Sequence, residues 1–292
     1  MTRVTPIPKV GGKNYKALGN ELFEELYSNI FLCARKKSGK TTVIYNILKK
    51  CANKKTTVVF FVPTLYKDAS YQQIIKMLDR KGIQHIDNTH FLEGKLNLLN
   101  EFINELNMDD VDDDVKNTSN VKGSGSSVVE IPKEECKIIW GGERTRAQIA
   151  ADEKKEAARV RRQKKTKKKK SKRKKFLAPE YILVFDDLGQ DLRNKSISTL
   201  LKKNRHYKMK VIMSSQWLND LHPQSIRQLD YMLAFKGFTL DKLAAMHKQL
   251  DISTDFNEFY RYYRYATSKP YGFLTVDAVQ DKFRSAFNER LN

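Results

Sequence analysis

Apolar residues in this chain come in short unbroken runs rather than in alternation. Asn29–Ala34 (NIFLCA), Thr56–Val62 (TTVVFFV), Tyr181–Phe185 (YILVF), Lys210–Ser214 (KVIMS), Tyr231–Phe235 (YMLAF) and Gly272–Val276 (GFLTV) are each too short for a helix. Runs of that kind are strands buried on both faces. Ile83–Ile86 adds a further candidate strand. Between the runs the period is helical. Thr41–Asn53 carries Val43, Ile44, Ile47 and Leu48 at helical spacing. Ser70–Arg80, His90–Leu106 and a segment near Ile197–Lys203 read the same way, and the runs ending at Phe235 and Val276 are each followed by a helix-compatible stretch. Strands without alternation, spaced by helices, predict an α/β fold with a mainly parallel sheet covered by helices on both faces.

The pattern lapses between residues 107 and 178. An acidic stretch leads in, with seven carboxylates and no base from Glu101 to Asp114, followed by Gly123–Ser127 (GSGSS) and then a basic run over 154–175. Low apolar content and blocks of like charge predict a mostly disordered insertion, with a transient helix over 143–162 where Ala, Glu, Arg and Lys favour one. The chain then divides into 1–106, the N-terminal half of a core; 107–178, the insertion; and 179–292, the C-terminal half.

Charge sharpens this division. Lys and Arg number 55 against 34 Asp and Glu, a net +21. The run 154–175 holds 15 basic side chains and one acidic, so 15 − 1 = +14 of that excess sits in 22 residues. The other 270 residues carry the remaining +7, ordinary for a folded domain. The excess points to a polyanionic partner; the run itself would serve as a DNA grip, a nuclear import signal or a solvated tail. No apolar run approaches the ~18 residues of a membrane span, and the opening MTRVTPIPKVGG has no apolar core of a secretion signal. Cys33, Cys51 and Cys136 stand at wide, unpatterned spacing, which fits neither a disulfide framework nor a zinc site.

The chemistry starts where the first strand should end. Ala34-Arg35-Lys36-Lys37-Ser38-Gly39-Lys40-Thr41 matches the phosphate-loop pattern G-x-x-x-x-G-K-[ST], with Ala34 in place of the first glycine. Gly39 lets successive N–H groups turn toward phosphates, the helix opening at Lys40 offers its positive end, and the Lys40 ammonium reaches the β and γ oxygens. Thr41 supplies a hydroxyl for Mg²⁺, and the loop through Thr42 is the candidate ATP site. An alanine at position 34 is tolerated if its φ stays negative. Tyr181–Phe185 runs into Asp186-Asp187. In nucleotide hydrolases the first acid at such a strand tip orients Mg²⁺ and the second polarises the attacking water, the roles assigned here to Asp186 and Asp187. A glutamate is commoner at the second place, and aspartates are frequent in strand-to-loop turns generally. Gln216, at the tip of the strand through Ser214, is the candidate sensor of the γ-phosphate and the water.

Taken in order, ARKKSGKTT, VFDDLG, NRHYKMKVIMSSQ, HPQSIRQLDYMLAFKG and KPYGFLTVD resemble the poxvirus-type DNA packaging ATPases of the HerA–FtsK superfamily, found in large DNA viruses, virophages and related elements. The resemblance covers about 28–104 and 179–292. Its departures are Ala34 for glycine and Gln228 where relatives often have a smaller polar residue. It implies a RecA-like P-loop core, an ATPase using ATP and Mg²⁺, and a homo-oligomeric ring around double-stranded DNA held without regard to sequence. It further implies a capsid vertex partner and action in the infected cell, in the nucleus or a cytoplasmic virus factory, or in the virion. Arg205 matches the position of the arginine finger of FtsK-like motors, which would enter a neighbour's site, and Arg227 is the runner-up. For each arginine a surface salt bridge is the plainer alternative. Two other functional readings stand beside the translocase. One is a non-catalytic DNA-binding or tethering protein with a vestigial nucleotide site. The other is a nucleotide kinase, for which no lid of clustered arginines is found.

Overall fold

Ile30 and Leu32 face one side of their strand and Phe31 and Cys33 the other, and all four are fully buried. Burial on both faces is why the apolar runs carry no polar alternation. The computed structural model describes residues 16–90, 92–93, 96–107 and 176–292. The expected insertion, save for its ends, lies outside the described residues, as do the helix expected over 143–162 and the basic run at 154–175.

In chain order the strands are β1 (Lys16–Ala17), β2 (Asn29–Cys33), β3 (Thr57–Phe61), β4 (Gln84–Asn88), β5 (Leu92–Glu93), β6 (Leu96–Asn97), β7 (Phe176–Leu177), β8 (Tyr181–Asp186), β9 (Met209–Ser215), β10 (Tyr231–Phe235), β11 (Phe273–Asp277), β12 (Lys282–Ser285) and β13 (Glu289–Arg290). The helices are α1 (Lys40–Cys51), α2 (Ala69–Lys81), α3 (98–107), α4 (Lys195–Lys203), α5 (Pro223–Ile226), α6 (Leu240–Gln249) and α7 (Phe256–Ala266). The main sheet has the order β13-β12-β11-β10-β2-β9-β8-β3-β4. From β10 to β4 every neighbouring pair is parallel, and β11, β12 and β13 continue antiparallel. One face carries α1 and α2, which bury Ile44, Ile47, Leu48, Ile74 and Leu78 against Ile30, Leu32, Val58, Phe60, Ile182 and Val184. The other buries Leu200 of α4, Met246 of α6 and Phe259 of α7 with Phe31, Phe61, Phe185, Val211 and Met213. Helices on both faces of a mainly parallel sheet are the expected class. Among the described residues no helix is long and apolar enough to cross a membrane.

Two expectations are corrected. The single helix over 90–106 is instead the antiparallel pair β5–β6 followed by α3. The run ending at Val276 is followed by β12, not by a helix. Asp277 Oδ1 accepts from the N–H groups of Val279 and Gln280, and that side-chain turn sends the chain straight back. At its two ends the segment expected as an insertion over 107–178 also meets described elements. Helix α3 runs through 107, and β7 opens at Phe176 and pairs in parallel with β1.

Candidate nucleotide-binding site

The parallel strands end on one edge of the sheet, and the sequence candidates collect there. The loop after β2 runs to the left-handed Gly39 (φ 92°), which opens α1. Lys37 also takes a left-handed φ of 60°, whereas buried Ala34 does not, so its methyl is admitted at the first glycine place. Ala34 N–H donates to the Ser215 carbonyl at 2.9 Å, which ties the loop to the tip of β9. Ser38 Oγ is buried with no hydrogen-bond partner among the described residues. A buried hydroxyl left unpaired costs free energy, and an acceptor such as a phosphate oxygen at this loop would satisfy it.

Between β2 and the acidic strand β8 lies β9, and this order sets the geometry. Lys40 Nζ is 2.8 Å from Asp186 Oδ1 and also pairs with Asp187 Oδ1. Burial works against the ammonium, but Asp186 first and Asp187 with it outweigh that cost and hold the Lys40 pKa above the ordinary lysine value. The two acids differ. Asp186 is 1% exposed at the end of β8, while the Asp187 side chain is 45% exposed and its backbone is left-handed at φ 57°. Aspartate tolerates that conformation better than most residues. The result is one carboxylate fixed in the sheet and one presented to solvent above it.

Three side-chain donors meet Asp186. Ser214 Oγ and Lys40 meet Oδ1, and the Tyr71 hydroxyl donates to Oδ2 at 2.6 Å. Tyr71 arrives from the first turn of α2, which starts where Asp68 accepts from Ser70 N–H at 2.7 Å. Its ring meets the Phe60 ring edge-on at a centroid distance of 6.2 Å. Burial, then the Asp186 charge, push the Tyr71 pKa well above the ordinary tyrosine value, so it remains a donor. The sequence reading did not single out Tyr71. Its signal was a tyrosine on the apolar face of a helix, in register with Ile74 and Leu78, whose hydroxyl would need a buried acceptor.

Gln216 follows β9 with its side chain exposed, at the same edge as the loop and the acids. Ser215 Oγ bonds Asp220, and Lys242 Nζ lies 4.2 Å from the centre of the Trp217 ring, so the segment around Gln216 is pinned. Thr41 opens α1 beside Lys40, half-buried. A hydroxyl and a carboxylate are hard oxygen ligands of the kind Mg²⁺ takes in small number, with waters and phosphate oxygens filling the remainder, so Thr41 and Asp186 fit that ion. Arg205 and Arg227 are not brought into this group. Arg205 precedes β9, so the length of that strand, ~20 Å, separates it from Ser215. Arg205 Nη2 is 3.5 Å from Asp230 Oδ1, the surface ion pair that was its plainer alternative, and both arginines line a pocket of about 280 Å³ at the far edge of the sheet. Burial raises the Asp230 pKa, opposed by the Asn29 N–H donated to it and by Arg205.

Compared with known proteins, residues 145–262 match the family model described as Poxvirus A32 protein, in agreement with the resemblance drawn from the sequence. The matched span takes in Asp186, Asp187, Arg205, Gln216 and Arg227, and begins after the loop at 34–42. Among solved structures, the chain is similar to the genome packaging NTPase B204 from Sulfolobus turreted icosahedral virus 2 in complex with AMP. That match has 14% identity and a TM-score of 0.48, covering 89% of this chain and 97% of that one. The same NTPase in complex with ATP-gammaS matches at 15% identity over 88% and 95% of the two chains, with a TM-score of 0.46. B204, the DNA-packaging ATPase from Sulfolobus Turreted Icosahedral Virus, matches at 15% identity over 88% and 95%, with a TM-score of 0.45. No curated protein sequence matches.

Proposed function

We propose that this chain is a viral genome-packaging ATPase that binds ATP at the loop 34–42 and uses its hydrolysis to move double-stranded DNA. The observation that carries the reading is the meeting of Lys40 with Asp186 and Asp187 across β9. Residues 147 positions apart in sequence converge on one point, which a chance GKT would not explain. Without a nucleotide, Lys40 serves as counter-ion to the two acids. A triphosphate offers it a denser negative charge, so binding would transfer the ammonium to the β and γ oxygens and free Asp187. Asp187, exposed at the rim, would then polarise the attacking water, and Gln216 would hold that water against the γ-phosphate. Asp186, held by Tyr71 and Ser214, would keep its orientation through the exchange. Thr41 and Asp186 would hold Mg²⁺, which neutralises charge on the phosphates.

The family match and the basic excess support double-stranded DNA as the polyanion, gripped through phosphates without reading sequence. A homo-oligomeric ring, a capsid vertex partner and action in the infected cell or virion belong to the same reading. The test is phosphate release by the full-length protein with and without double-stranded DNA. Turnover that DNA stimulates is the expected result. DNA binding with no turnover under either condition would overturn the ATPase and leave the tethering protein with a vestigial site.

A further inference from the structure

The phosphate loop is flanked unequally. On one side stand β9 and β8, carrying Gln216, Asp186 and Asp187; on the other stand β10 and β11. A nucleotide whose terminal phosphate lies at Lys40 and Asp187 must lead its other end away from β8, toward the β10–β11 side. That side carries an aromatic ring which the chemistry described so far does not use.

Tyr271 sits in the turn between α7 and β11, immediately before Gly272. It is 70% exposed, among the most exposed large hydrophobic side chains described. Its ring nevertheless lies against the phosphate loop. A β-carbon placed on Gly39 would stand 3.3 Å from Tyr271 Cδ1 and 3.8 Å from Cγ, so the ring rests over the bare α-carbon at the mouth of α1. The Tyr271 backbone is left-handed at φ 59°, a conformation unfavourable for a residue with a large side chain. The turn that imposes it is firmly held. Gly272 N–H donates to the Lys269 carbonyl at 3.1 Å, Ser268 Oγ to Tyr265 O at 2.8 Å and Thr267 Oγ1 to Tyr263 O at 2.7 Å. Gly272 itself admits no side chain, since a β-carbon there would lie 2.4 Å from the Ala266 carbonyl.

A ring held beside the phosphate loop, on the side opposite the catalytic acids, with most of its surface open, is a stacking platform. We propose that Tyr271 receives the nucleobase of the bound nucleotide, its π-face covering one face of the base. The inference rests on the reading of the loop as a nucleotide site. Stacking needs only a π-face, and every base has one, so the platform would discriminate little between bases, adenine and guanine included.

The experiment compares binding of ATP, GTP and inorganic tripolyphosphate by calorimetry to the full-length protein and to Tyr271→Phe, Tyr271→Ala and Tyr271→Asn. Asparagine is included because its short side chain is at home at positive φ, so truncation can be read without added backbone strain. Truncation to Ala or Asn should weaken ATP and GTP by on the order of 10-fold and leave tripolyphosphate unchanged. Tyr271→Phe keeps the ring and should bind all three as the parent does. Equal weakening of tripolyphosphate and ATP would overturn the proposal, because the ring would then be shaping the loop rather than holding the base. Unchanged ATP affinity in both truncations would overturn it too. A parent protein that binds neither tripolyphosphate nor ATP would remove the nucleotide site altogether, while tripolyphosphate binding without any gain from the base would sink the platform alone.

Discussion

Replacing Tyr71 with Phe removes one oxygen and leaves the ring in place. Tyr71 is 1% exposed, so no solvent competes for the vacated position, and the edge-on contact with Phe60 survives. The loss is the hydrogen bond from the hydroxyl to Asp186 Oδ2, a neutral donor serving a buried acceptor that is charged. Hydrogen bonds to charged groups contribute about 1.5–3 kcal/mol, and urea unfolding of Tyr71→Phe should show a loss in that range. The same quantity bounds the effect on turnover. With Lys40 drawn to phosphate, Ser214 on Oδ1 and Tyr71 on Oδ2 are the side chains left to hold the Asp186 carboxylate. If the whole of that hydrogen bond is spent keeping its orientation, phosphate release at saturating ATP falls by about 10- to 100-fold, since ~1.4 kcal/mol corresponds to tenfold. The deficit should be constant between pH 6 and 9, because the raised Tyr71 pKa keeps its proton in place throughout. A Tyr71→Phe protein with parental stability and parental turnover would refute the argument.

Lys40→Ala should abolish ATP turnover with the fold retained by circular dichroism; near-normal turnover by the purified variant would end the enzyme reading. Arg205→Ala should bind ATP normally and hydrolyse it at least ~10³-fold more slowly. Mixed with Lys40→Ala it should recover activity, because the second protein still offers Arg205 to an intact neighbouring loop. Hetero-oligomers that form and stay inactive would dismiss a role for Arg205 in a neighbour's site. His85, at the outer strand β4, contacts Asp87 at 2.9 Å and Asp79 at 3.1 Å. Burial opposes its charge, but those acids outweigh it and raise its pKa above the ordinary histidine value. The contribution of a raised basic group is complete below the unfolded value of about 6.5 and lost as pH rises through the folded one. The parent Tm should therefore drop between pH 6 and pH 8 by more than that of His85→Asn, and parallel curves would contradict the assignment.

The long strands were legible because burial on both faces leaves no polar residue to interrupt them. Phe60, Phe61, Ile182 and Val184 could be placed from composition alone. The dipeptide strands were not, since Lys16–Ala17 and Glu289–Arg290 are strands only by virtue of the partners they lie against. The site divides in the same way. Lys40, Asp186 and Asp187 stand at strand tips within recognisable patterns, and the parallel sheet brings those tips together. Tyr71 shows in the sequence only as a tyrosine on an apolar helix face and Tyr271 carries no local signal, because one is defined by an acceptor 115 residues away and the other by a glycine on the opposite side of the chain's middle third. Arg205 shows the converse. It is ten residues before Ser215 in sequence, yet the extended course of β9 makes sequence proximity into distance.

All seven residues of β9 are buried, and it is hydrogen-bonded to β2 along one side and β8 along the other. A strand clamped in this way has no register in which to slide, since a shift by one residue would carry the buried Lys210 and Ser214 away from their partners Ser28 and Asp186. What happens at Gln216 therefore cannot reach Arg205 by movement within the strand. In the ring proposed above, the sheet would act as a stiff beam, and any signal passing from one edge to the other would travel as tilt of the entire body rather than as strain along its length.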